Sequence, residues 1–176
     1  MAEVSEQLID DHAALDQILK QLLAALRSSE LEVAYARLDL FWARLAVHIR
    51  AEHLHLFPTV LSRVENAADT VAELRQDHDF FMHQLALAVG VMRELLTLPD
   101  HANIPEGLNN VRKIVLEVEQ RLVKHNQLEE SQIYRWAAMS LSPDEQAKLQ
   151  AQITTELRKH PSRFNPSTWL NELAQE

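Results

Sequence analysis

Apolar residues recur at the spacing of an amphipathic helix from Val4 to about Leu26, and the polar run Arg27 to Glu30 is the first interruption. A second periodic segment runs from Leu31 to about Val64 and contains Pro58. Proline removes an amide donor, so this helix is expected to end or kink just after Phe57 and to consist of two collinear pieces. Asn66 to Thr70 offers a capped restart for a third helix reaching about Leu98, where Pro99, Pro105 and Gly107 break the pattern. A fourth helix follows from about Leu108 to Met139. Ser142, Pro143 and Glu145 read as N-cap, first helical residue and reciprocal cap of a fifth helix ending near Lys159. Pro161 and Pro166 bracket a loop, after which a last short helix turns Trp169 and Leu173 inward. Long helices with short links predict an all-α, antiparallel up-down-up-down four-helix bundle over residues 1–140. Residues 141–176 form a C-terminal helical extension packed across it.

Composition narrows the picture. A chain of 176 residues, 47% hydrophobic, is long enough for one well-buried core and short for two. Two glycines in the whole chain leave few turns for sheets. A formal charge of −9 leaves no basic stripe for nucleic acid. There is no apolar run of membrane-spanning length, and MAEVSEQLIDD lacks the basic start and apolar core of a signal peptide. The expected setting is therefore the cytoplasm, away from membranes. The absence of cysteine excludes thiolate zinc sites, iron–sulfur clusters, disulfides and cysteine nucleophiles. Any metal must be held by nitrogen and oxygen.

The stretch HIRAEHLHLFP, residues 48–58, breaks the apolar pattern of the second helix. At about 100° per residue, Glu52 lies about 40° around the helix from His48 and His55 about 20° the other way. The three share a stripe where leucine belongs, while His53 falls about 140° off it, toward solvent or a neighbouring helix. A weak internal repeat extends the anomaly. DDHAALDQIL in helix one resembles QDHDFFMHQL in helix three, and HIRAEHLHLFP aligns with HNQLEESQIYR in helix four. This superposes His48 on His125 and Glu52 on Glu129 and implies helix pairs related by a pseudo-twofold axis.

In each His-x-x-x-Glu pair the side chains are one turn apart, about 6 Å of rise, and point the same way. With His12 and His78, four imidazoles and two carboxylates can converge in the core. An unpaired buried carboxylate costs several kcal/mol, and two divalent cations would offset that cost for both. If both glutamates bridge, each ion receives two histidine nitrogens and two carboxylate oxygens, and an octahedral ion keeps open positions. Imidazole and carboxylate without sulfur suit iron or manganese and do not exclude zinc.

The order His12, then His48 with Glu52 ahead of Leu56-Phe57-Pro58, then His78 after an acid, then His125 with Glu129, resembles the hemerythrin-like HHE cation-binding domain over roughly residues 5–140. The resemblance implies a non-haem di-iron centre with a bridging oxide or hydroxide, Glu52 and Glu129 as bridging carboxylates, and His12, His48, His78 and His125 as terminal ligands. It also implies binding or sensing of oxygen or nitric oxide, or donation of iron to damaged iron–sulfur clusters. Manganese and zinc rank below iron on this ground. Oxygen-carrying members use a second histidine one turn along the third helix, where this chain has Met82. That departure argues for a less saturated centre that reacts with its ligand or exchanges its iron. The cluster-repair branch usually carries a cysteine-containing module, and this chain has no cysteine.

Three further residues stand near this set. His55 reads as a seventh ligand, a hydrogen-bonding neighbour of the ligands or a core histidine, with the second favoured. Asp16, one turn from His12, can hydrogen-bond a ligand ring or sit in solvent. Tyr134 aligns with Phe57 in the repeat and reads first as core, with proton gating or radical formation as alternatives. Trp42, Trp136 and Met82 read as packing, and His101 and His160 as incidental loop residues. The leading expectation is a di-iron module that binds a small diatomic ligand or peroxide, with a protein partner if it is a sensor. A di-iron oxidase or peroxide-consuming enzyme is the second. Iron storage or delivery is the third, because Glu52 and His55 give a ferritin-like Glu-x-x-His whose counterpart in helix four is broken by Gln132.

Overall fold

The computed structural model describes residues 4–98 and 103–159, and all regular structure among them is helical. Helix α1 spans Val4–Arg27 and α2 spans Leu31–Ala51. A π-helical turn, Glu52–Leu56, leads into the short α3, Phe57–Leu61. Helices α4, Ala68–Thr97, and α5, Ile104–Leu128, follow. A second π-helical turn, Glu129–Ile133, precedes α6, Tyr134–Ser140, and α7 spans Pro143–Leu157. The last predicted helix, with Trp169 and Leu173, lies outside the described residues.

Helix α1 packs on α2 and α5, and α4 packs on the same two, which closes a four-helix ring. The α1–α2 turn meets the end of α4 and the start of α5, where Glu30, Leu31 and Val33 line a hollow with Leu95, Leu98 and Ile104. Ser29 takes the left-handed conformation, φ 55°, that reverses the chain there. A Cβ on Gly107 would lie 2.5 Å from the tip of the Leu95 side chain, so this end of α5 approaches α4 closely. No described helix is long and apolar enough to cross a membrane.

Three boundaries depart from the sequence pattern. The irregularity expected after Phe57 lies before Pro58, as the π-helical turn, and it recurs at Glu129–Ile133 where no proline follows. Proline therefore does not cause it; Pro58 sits in the first turn of α3, where a missing amide donor is harmless. The restart near Asn66 has no side-chain cap, and the Thr70 hydroxyl instead donates to Gln132 across the bundle. Pro105 opens α5 four residues earlier than expected, for the same reason that it is tolerated at a first helical turn.

The interior is apolar in two blocks. One contains Leu15, Leu45, Phe81 and Leu122 and fills the end of the bundle near the hollow. The other contains Leu8, Leu56, Leu74 and Ile133, together with Leu149 and Ile153 of α7. On every bundle helix the switch from one block to the other falls at the histidines, so the polar side chains form a layer between the blocks.

Helix α7 begins with the predicted capping box. The Glu145 amide donates to Ser142 Oγ and the Ser142 amide to Glu145. Its apolar stripe covers α1, α2 and the first π-helical turn. Glu156, buried on this face, accepts hydrogen bonds from Arg50 Nε at 2.7 Å and Lys159 Nζ at 2.7 Å. Replacing Glu156 by Gln removes the buried charge that accepts from Arg50 and Lys159, and we expect a loss of about 1.5–3 kcal/mol in urea unfolding. Unchanged stability would show that α7 is held by its apolar stripe alone.

Candidate metal centre

The layer between the two apolar blocks brings together all six side chains singled out in the sequence. His12, His48, His78 and His125 are 2–6% exposed, and Glu52 and Glu129 are fully buried. Every ring turns Nε2 inward. The His12 and His48 Nε2 atoms are 3.2 Å apart, and those of His78 and His125 are 3.0 Å apart.

The two carboxylates divide their oxygens between these histidine pairs. Glu52 places Oε1 3.4 Å from His48 Nε2 and Oε2 3.4 Å from His78 Nε2. Glu129 places Oε2 3.2 Å from His12 Nε2 and Oε1 3.0 Å from His125 Nε2. Two donor sets result, His12–His48–Glu52–Glu129 and Glu52–His78–His125–Glu129, and within each the donor atoms lie inside 4.8 Å of one another. Each set can hold one ion, and both glutamates belong to both sets.

Outer partners fix every ring. His48 donates from Nδ1 to Asp11 at 2.9 Å and His125 from Nδ1 to Asp77 at 3.1 Å. Arg44 and Arg121 hold the other oxygens of these aspartates. His12 donates from Nδ1 to Glu130 at 3.0 Å, and His78 Nδ1 meets His53 Nε2 at 2.9 Å. A ring that donates from Nδ1 presents the Nε2 lone pair, which is the form a metal needs. His53 suits its place as an acceptor, because burial, with His78 and Arg75 adding, pushes its pKa down to about 4.

Electrostatics mark the site as built for cations. Burial works to raise both glutamates, and the proximity of Glu52 works to raise Glu129 as well. The facing imidazoles nevertheless hold Glu52 well below, and Glu129 below, the usual carboxylate range. Burial opposes the charged form of His48, yet Glu52 and Asp11 raise it well above the ordinary value. His125 is raised to about 9 by Glu129 and Asp77 against the same opposition from burial. His78 is lowered by burial and by the nearby His125, against Glu52 and Glu129. Glu52 Oε2 and Glu129 Oε1 are buried without a hydrogen bond, which fits a group that receives two cations.

The π-helical turns explain where the neighbouring residues fall. Each closes a bond from the amide five residues on, Phe57 to the Glu52 carbonyl and Tyr134 to the Glu129 carbonyl. The widened turn carries Tyr134 back over its glutamate, so its hydroxyl donates to Glu52 Oε1 at 3.2 Å and Glu129 Oε2 at 3.3 Å and lies 3.1 Å from His12 Nε2. Burial and the two carboxylates raise the Tyr134 phenol well above its ordinary range. His55 is rotated off the ligand stripe by the first π-helical turn; its Nε2 is 4.0 Å from Glu156 of α7, so neither ligation nor contact with a ligand is supported. Asp16 pairs with Lys20 at 2.6 Å on the surface and does not reach a ligand ring. Met82 is buried in the apolar block and His83 is exposed. His101 and His160 lie outside the described residues.

From the sequence, Asp77 stood out only as the acid before His78 and His53 only as a residue facing solvent or a neighbouring helix, while Asp11, Arg44, Arg121 and Glu130 carried no assigned role. The signal for four of them was present in the repeat. Asp-His occurs in both α1 and α4, and Arg-x-x-x-His-x-x-x-Glu occurs at residues 44–52 and 121–129. A carboxylate that orients a ligand histidine and an arginine that holds the carboxylate need that spacing.

The hemerythrin HHE cation binding domain matches residues 3–137, and the chain belongs to that family. Comparison with curated proteins and with solved structures gave no match.

A pH dependence follows for the chain without metal. Because the folded value of His125 is raised, its contribution to stability is complete below its unfolded value of 6.5 and is lost as pH rises through about 9. Glu52 is lowered, so its contribution is complete above 4.5 and is lost on further acidification. We expect the melting temperature of chelator-stripped protein to fall between pH 6.5 and 9, read by circular dichroism. A flat profile across that window would contradict the buried charge pairing.

Proposed function

We propose that this chain holds two iron ions, bridged by Glu52 and Glu129 and capped by His12, His48, His78 and His125, and that it binds or senses oxygen, nitric oxide or peroxide there. The observation that carries this reading is the sharing of both buried glutamates by two histidine pairs, which supports two adjacent ions with few protein donors each. An iron pair supplies a redox-active Lewis acid with open positions, completed by a bridging oxide or hydroxide. The apolar blocks on both sides keep bulk water from the layer, so a small uncharged ligand enters more readily than a polar substrate. Met82 contributes no nitrogen, and this favours an open position on the His78–His125 side.

A ferritin-like role in storage has less support, because His55 faces Glu156 and Gln132 pairs with Thr70. Peroxide consumption is the second reading, and the Tyr134 hydroxyl in contact with both glutamates favours it by placing an exchangeable proton inside the site. A sensing role calls for a protein partner, and the acidic exterior leaves nucleic acid out of the proposal.

Metal analysis with optical spectra in air and after reduction separates these readings. Two irons per chain and an absorption that bleaches and returns over oxygen cycles support binding or sensing. Sustained peroxide turnover supports the second reading. Iron lost readily to a chelator would point to delivery, and a preparation taking up zinc alone would contradict the iron assignment. We expect Glu52→Ala or Glu129→Ala to reduce bound iron below one equivalent, since each glutamate serves both ions.

A further inference from the structure

The repeat that builds the centre is broken at two positions, both on the same side. Where α3 begins with Phe57, whose ring stacks on His78 with centroids 5.8 Å apart, α6 begins with Tyr134, whose ring stacks on His12 at the same 5.8 Å. Where His53 meets His78, Glu130 meets His12. The His12–His48 side therefore has an extra oxygen and an extra carboxylate that the His78–His125 side lacks.

The spacing of that oxygen is the informative quantity. In an octahedral site with bonds of about 2.1 Å, neighbouring donors are about 3.0 Å apart. The Tyr134 hydroxyl lies 3.1 Å from His12 Nε2, 3.2 Å from Glu52 Oε1 and 3.3 Å from Glu129 Oε2. His12 Nε2 in turn lies 3.2 Å from both His48 Nε2 and Glu129 Oε2. The hydroxyl thus stands among the donors of one set at the separation of a fellow ligand, while Phe57 offers no polar atom to the other set.

We propose that the Tyr134 phenol oxygen is an additional ligand to the ion held by His12 and His48, which makes that ion the harder-held of the two. The inference rests on the di-iron reading above. On ligation the O–H bond breaks, the oxygen bonds to a ferric ion as phenolate, and the proton leaves to solvent. The carboxylate of Glu130 behind His12 strengthens the same side by making that imidazole a better donor.

The full chain is loaded with ferrous ion under argon, oxidised by admitting air, and assayed for iron content, visible absorption and resonance Raman scattering. We expect a phenolate-to-ferric band whose excitation enhances tyrosine ring vibrations. Tyr35, the only other tyrosine, accepts a hydrogen bond from Arg93 at the surface, so ring modes report Tyr134. Tyr134→Phe should retain iron and lose both the band and the ring modes. Removal of iron by a chelator should be biphasic in the wild type, with the slow phase about tenfold or more faster in Tyr134→Phe. Two bound irons without tyrosine modes in the wild type would overturn this inference and leave the di-iron reading intact. A chain that binds no iron would overturn both. The wild-type Raman spectrum decides the matter even if the variant does not fold.

Discussion

Two fully buried carboxylates at the middle of a helical bundle are the constraint on which this structure depends. Each would cost several kcal/mol as an unpaired ion, and each would be the weakest point of an otherwise apolar interior. The chain answers with four imidazoles facing the carboxylates, three carboxylates and a histidine behind the imidazoles, and two arginines behind two of those carboxylates. Charge alternates outward from the centre to solvent. This order holds each ring in the orientation that frees its Nε2 atom, and it ties all four bundle helices to one layer.

The same layer accounts for the local oddities of the backbone. A π-helical turn begins at each glutamate and is widened by one residue, which brings the residue five positions on back over the carboxylate. In one half that residue is Phe57 and in the other Tyr134. A near-symmetric scaffold thereby gives two ion positions with different surroundings, one lined by a hydroxyl and one by an apolar ring. Membership of the HHE cation-binding family fits the scaffold, and Phe57 and Tyr134 make its two halves unequal.

Much of this was legible in the sequence. Helical periodicity gave the bundle to within a few residues, because the apolar stripes of α1, α2, α4 and α5 decide it. The six converging side chains were visible because histidine and glutamate stand where leucine belongs. The π-helical turns were not visible, since a count at about 100° per residue assumes an unbroken α-helix. That one assumption misplaced His55 on the ligand stripe, whereas Tyr134, read first as core with a role beside the centre as the alternative, reaches both carboxylates. Asp11, Asp77 and the two arginines were legible in principle from the repeat, but exposed charges at such positions are common, and only the aligned halves distinguish them. Residue identity gave Met82 as a missing donor, and its burial accords with that.

The proposed centre sets two ions against Glu52 and Glu129 in one buried layer. Anomalous diffraction at the iron edge, from crystals of the iron-loaded chain, tests it most directly. Two peaks per chain are expected, one among His12, His48 and the two glutamates and one among His78, His125 and the same glutamates. A single peak, or peaks at the surface with the buried layer unfilled, would contradict it.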